Sequence, residues 1–145
     1  MAHTRHTRRW SRRLAMQALY QWQLTGQDPD TIETQFREEH ELHKADIAYF
    51  TELLHGVPSL LAEIDQALAA HTDRGIEEVD PVERALLRSA CYELLRRPDV
   101  PPNVIINEAV ELAKKFGSEQ GHKFINGVLD KAAGALRDAP RPSGI

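Results

Sequence analysis

Apolar residues recur at helical spacing along nearly the whole chain, and no run alternates with the period of two that a half-buried strand needs. The pattern predicts an all-α fold of about seven helices. The first spans residues 8–24 and stops at Thr25-Gly26, where glycine accepts the left-handed conformation that closes a helix. Asp28-Pro29 reads as N-cap and first residue of a short second helix carrying Ile32 and Phe36. Residues 44–70 place Ile47, Phe50, Leu53, Leu54, Val57, Leu60, Leu61, Ile64 and Leu68 along one side, which predicts one long helix packed on a core. Pro58 is expected to kink it near Leu54, because proline cannot donate to that carbonyl. Residues 72–79 read as a short helix or a hinge between two helical halves. Asp80-Pro81-Val82-Glu83 then opens a fifth helix as a capping box, with Glu83 bonding back, and that helix runs to Arg96-Arg97 before Pro98. Pro101-Pro102 starts a sixth carrying Ile106, Ala109, Val110, Ala113 and Phe116, which ends at Gly117. Ser118 is expected to cap a seventh carrying Phe124, Val128, Ala132 and Leu136. Residues 1–7 and the Pro-, Gly- and Ser-containing stretch 139–145 read as flexible ends of a single domain.

A chain of 145 residues with 41% hydrophobic content supports one core and buries roughly two thirds of its unfolded surface. No apolar run approaches the roughly 20 residues of a membrane helix. The single cysteine, Cys91, has no partner for an internal disulfide and sits between Ala90 and Tyr92, which reads as a buried thiol in a reducing compartment, hence the cytoplasm. Charge changes the picture more. The net −4 divides into +5 over residues 1–27, from Arg5, Arg8, Arg9, Arg12 and Arg13, and −9 over the rest. A positive arm on an acidic body suits a polyanion for the arm and a basic protein for the body. Composition alone also allows a solvated helix face or an Arg-rich transit peptide.

Candidate chemistry is sparse. No pair of glycines flanks a Lys-Ser or Lys-Thr, so a phosphate-cradling loop is absent. His40-Glu41-Leu42-His43 spaces its histidines by three where the zinc-protease helix needs four, and it reads as a polar loop without metal. Glu38, Glu39, Glu77 and Glu78 read as a solvated face. No catalytic residue, cofactor or metal is expected. The first helix says more. At about 100° per residue, Arg9, Arg13, Met16, Gln17 and Tyr20 share one sector, while Leu14, Ala15, Ala18, Leu19 and Trp22 share the opposite one. Guanidinium groups beside an aromatic ring suit phosphates and an unpaired base, the mixture RNA recognition uses. The Ala-rich apolar side fits helix packing better than lipid insertion.

Two blocks then carry a resemblance. Arg8-Arg9-Trp10-Ser11-Arg12-Arg13-Leu14-Ala15-Met16-Gln17-Ala18-Leu19-Tyr20 is similar to the opening of the bacterial transcription antitermination factor NusB family, Arg-Arg-x-Ala/Ser-Arg followed by Ala-x-Gln-x-Leu-Tyr. The second block is longer. It joins residues 82–88 and Tyr92-Glu93-Leu94 to residues 106–114, Phe116-Gly117 and residues 122–130, in the family's order and spacing. The resemblance implies seven helices in two packed sub-bundles and no catalytic activity. It further implies binding of the boxA element of nascent ribosomal RNA transcripts, together with the small-subunit ribosomal protein that doubles as NusE, within an antitermination complex on RNA polymerase. By residue matching, Arg8, Arg9 and Arg12, with Arg13 beside them, look like the phosphate-binding arm. Tyr20, Arg88, Lys123 and Phe124 look like neighbours on the RNA surface, Phe124 either as a stacking ring or as core. Tyr20 and Glu83 look like contacts to the ribosomal protein, and Asn107 and Asn126-Gly127 read as caps and helix contacts. Trp10 stands where many relatives have something smaller, and would either add stacking or obstruct the RNA. The other reading is a protein-interaction module or homodimer whose arginine face is partly covered.

Overall fold

The computed structural model describes residues 2–39 and 42–138, and every regular element among them is helical. The helices are α1 (Ala2–Thr25), α2 (Pro29–Glu39), α3 (Ile47–Ser59), α4 (Leu61–Ala69), α5 (Pro81–Arg96), α6 (Pro102–Phe116) and α7 (Gly121–Ala133). Tight 3₁₀ turns lie at Leu42–Lys44 and Ile76–Glu78, and a π-helical turn lies at Gly134–Asp138. Helices α1–α3 pack on one another, as do α4–α7, and the two groups meet where α1 and α3 lie against α5. One continuous core results, running from Leu14 and Leu19 through Phe50, Leu54 and Leu87 to Ile125 and Leu129.

Helix α5 lies at the centre, and every residue from Glu83 to Leu94 is buried. A helix enclosed on all sides must satisfy its charges internally, since an unpaired buried charge is prohibitive. Arg84 donates to the Glu77 carbonyl at 3.1 Å and its carboxylate at 2.9 Å, which pins the 3₁₀ turn in the segment read as a short helix or hinge. At the far end, Arg137 donates to the carbonyls of Glu93, Leu94, Arg97 and Val100, tying the turn after α7 to the end of α5 and the loop that follows it.

Several boundaries differ from the sequence reading. Helix α1 begins at Ala2, so residues 2–7, expected as a loose end, belong to it; residues 139–145 lie outside the described residues. Its end is as expected, with Gly26 at φ 72°. The long third helix is instead two, broken at Leu60 (φ −114°, ψ 22°) rather than kinked near Leu54. Pro58 sits in the last turn of α3, and Leu60 N–H still reaches the Gly56 carbonyl at 3.0 Å, so the proline ends the helix instead of bending it. Asp80 caps α5 as expected, accepting from the N–H groups of Val82 and Glu83 at 2.9 and 3.2 Å. The capping box does not close. The Glu83 carboxylate instead accepts from the Ser118 N–H at 2.9 Å and the Ser118 hydroxyl at 2.6 Å, tying the α6–α7 corner to α5. Ser118 is thereby spent on Glu83, and Gln120 occupies the N-cap of α7.

Candidate nucleic-acid interface

The arginines of α1 divide by the direction in which the helix turns them. Arg8 and Arg12 face α3 and α5. Arg12, 7% exposed, donates to both carboxylate oxygens of Glu93 at 2.9 and 2.8 Å, and the Tyr49 hydroxyl donates to the same carboxylate at 2.5 Å. Burial alone would disfavour the Arg12 charge, but the hydrogen bonds and charge of Glu93 outweigh it and raise its pKa. Burial and the adjacent Glu93 raise the Tyr49 pKa. Arg8 and Arg97 flank this group with their guanidinium carbons 4.4 and 4.9 Å from the Tyr49 ring centre. Arg8 is half-buried. The network joins α1, α3 and α5, and commits the Nε and Nη2 of Arg12 to Glu93.

Arg9 and Arg13 face the other way, toward α6. They line a groove of about 270 Å³ with His6, Trp10, Glu108, Glu111, Leu112 and Lys115. Arg9, its side chain 58% exposed, donates to both Glu108 oxygens at 3.2 and 2.9 Å, and the Glu108 hydrogen bond raises its pKa. Arg13 lies 4.9 Å from both the Trp10 and Phe116 rings, and the Lys44 ammonium sits 4.7 Å from Trp10. Further along α1, Tyr20 and Leu24 are exposed one turn apart, at 38% and 54%. Met16, placed with the outward sector by its angle, is buried, because α1 is enclosed by α3, α5 and α6 together and its apolar stripe is wider than one sector.

The remaining residues of the expected surface are scattered over other parts of the fold. Arg88 is 3% exposed and donates to both Asp65 oxygens at 3.0 and 2.9 Å, to Gln23 at 3.0 Å and to Glu77 at 3.2 Å. It holds α4, α1 and the 3₁₀ turn to α5, and its place on the RNA surface is corrected accordingly. Glu83, read as a partner contact, is 4% exposed and bound to Ser118. Lys123 is exposed on α7. Phe124 next to it is half-buried against the core, with the Arg74 guanidinium 4.3 Å from its ring. Asn107 and Asn126, read as capping or packing amides, are exposed.

His40 and Glu41 lie outside the described residues, and Leu42 is buried in the core. Asp30, Glu33 and His55 lie close enough together to share an ion. Glu33 is already satisfied, accepting from Arg37 at 2.9 and 2.6 Å and lying 2.7 Å from His55 Nε2. Cys91 is buried, which pushes its thiol up to about 12 and makes it a poor nucleophile. No helix among the described residues is long and apolar enough to cross a membrane.

The model of the NusB family matches residues 9–134. The chain belongs to the NusB family. It is 57% identical to a transcription antitermination protein NusB of Pseudomonas fluorescens over 132 residues, 91% of this chain and 80% of that protein. The solved NusB of T. maritima superposes with a TM-score of 0.75 at 31% identity, covering 86% of this chain and 89% of that one. A chain in a crystal structure of antitermination factors NusB and NusE in complex with dsRNA superposes at 0.77, with 28% identity over 93% of this chain and 98% of that one. Against the NusB pattern, sequence reasoning missed the second wall of the groove. Glu108, Glu111 and Lys115 recur at helical spacing on α6 and carried a signal, but only the fold brings them opposite Arg9 and Arg13.

Proposed function

We propose that this NusB-family chain is a transcription antitermination factor that binds the boxA element of nascent ribosomal RNA transcripts together with the NusE ribosomal protein. In this reading it joins an assembly on RNA polymerase that keeps ribosomal operons from premature termination, and it works by binding without catalysing a reaction. The observation that carries the reading is the outward face of α1, where Arg9 and Arg13 stand beside Lys115 of α6 while Arg12 is spent inside the fold. Arg8 borders this face, half-buried against Tyr49, and Lys123 and Phe124 form a second patch that supplies one more cation and an aromatic edge. Tyr20 and Leu24 offer an exposed apolar step further along the same helix, which suits a protein partner seated beside the RNA. Cations attract and position the strand, and discrimination among sequences falls to the partner and the aromatic edges. The test is binding to a boxA RNA and to a scrambled control, each with and without NusE. Tighter binding to boxA, strengthened by NusE, is expected; equal weak binding to both RNAs under both conditions would contradict it.

A further inference from the structure

The groove between α1 and α6 contains more than cations. Its wall carries the Trp10 indole, half-buried, with Arg13 and Lys44 each within 5 Å of the ring centre. A volume of about 270 Å³ lies just under the roughly 300–1,000 Å³ of sites for drug-sized ligands, which suits a single planar base. Leu112 supplies an apolar floor, and Arg9, Arg13 and Lys115 supply charge around the rim.

We infer that this groove is a subsite for one unpaired nucleobase of the bound RNA, with Trp10 as its stacking platform. The inference rests on the RNA-binding reading above. An indole offers a broad π-face that accepts any base, and cations at its edge suit the phosphates on either side of that base. The two cations that sit on the ring belong to long, flexible side chains. A base sliding onto the indole displaces one of them, and the displaced cation is left beside the nucleotide's own phosphate. Arg13 has a second ring to rest on, Phe116 at 4.9 Å, so its swing away from Trp10 keeps an aromatic contact. Trp10 therefore adds a contact of a different kind from the arginines: it strengthens binding without neutralising charge.

That difference supplies the test. Trp22 lies away from the groove, so a Trp22→Phe background leaves Trp10 as the only indole of the chain. This protein, with NusE present and its emission subtracted, is titrated with boxA RNA while RNA binding is followed independently by the anisotropy of a label on the RNA. Quenching of the Trp10 emission in step with binding is expected. In the same assay Trp10→Ala is expected to weaken binding about tenfold with the salt slope unchanged, and Trp10→Phe to recover most of the loss. Full-strength RNA binding with unmoved emission and a neutral Trp10→Ala would overturn the subsite and leave the proposed function standing. Weakened binding by Trp10→Ala without quenching marks a merely structural ring and overturns it too. Absence of boxA binding by the parent protein would overturn both readings.

Discussion

Removing the Arg12 guanidinium would leave the Glu93 carboxylate, 2% exposed, with the Tyr49 hydroxyl as its one remaining side-chain hydrogen-bond donor among the described residues. Truncating one member of a buried pair typically costs about 3–5 kcal/mol, because the remaining charge is stranded. Arg12→Ala is therefore expected to lower unfolding stability by that order in a urea titration. Arg9→Ala breaks a pair whose arginine is largely solvated and is expected to stay within about 1 kcal/mol. The same contrast predicts an opposite effect on RNA. Glu108 occupies Arg9 in the free protein, so a phosphate must compete with a carboxylate for that guanidinium. Glu108→Gln is expected to tighten RNA binding several-fold and steepen its salt dependence, and weaker binding would show that Glu108 positions Arg9 more than it masks it. At this scale the sequence displayed the charges but not their neighbours. The helical sector set Arg9 and Arg13 apart from Arg8 and Arg12, but the carboxylates that occupy Arg9 and Arg12, Glu108 and Glu93, stand on helices far away in sequence.

Between elements, close approach and ion pairing set the tolerance. A Cβ on Gly56 would run into the Tyr92 ring, which cannot swing away from α3 without losing its place in the core. Gly56→Ala is expected to cost about 1–3 kcal/mol by overpacking, measured as a shift in the denaturation midpoint. Helix α2 is tied to α3 through Glu33 and His55. Burial pushes the Glu33 carboxyl up, but the hydrogen bonds and charges of His55 and Arg37 prevail and hold it below its ordinary 4.5. A carboxyl lowered in the folded state stabilises above its unfolded pKa and loses that contribution as pH falls through the folded value. Stability is thus expected to drop below about pH 4.5 more steeply in the parent than in Glu33→Gln, as read from thermal melting in acid. Caps and breakers made most helix boundaries legible, at Gly26, Asp80 and Pro98. The division of residues 44–70 at Leu60 was not legible, because the apolar stripe continues through it and only the direction of packing changes. Nor was the true role of Glu83, whose spacing suits a capping box while its carboxylate is taken by Ser118.

Across the whole molecule, helical periodicity was enough for the fold class, since every apolar stripe had to be buried against another helix. The family motifs added an expected RNA surface that joined the arginine helix to Lys123 and Phe124 of α7. What neither contained was the full enclosure of α5, which draws Arg88 and Glu83 inside and removes them from the surface. In the proposed function, the face that meets the polyanion is built chiefly from Arg9 and Arg13 of α1 with Lys115 of α6. Its most direct test is the salt dependence of boxA RNA binding, in the presence of NusE, for the parent chain and for Arg9→Ala with Arg13→Ala. Each lost phosphate contact to a single strand lowers the slope of log K against log salt by about 0.7. A slope reduced by about 1.4, with the double variant still folded, is the expected result; an unchanged slope and affinity would contradict the account.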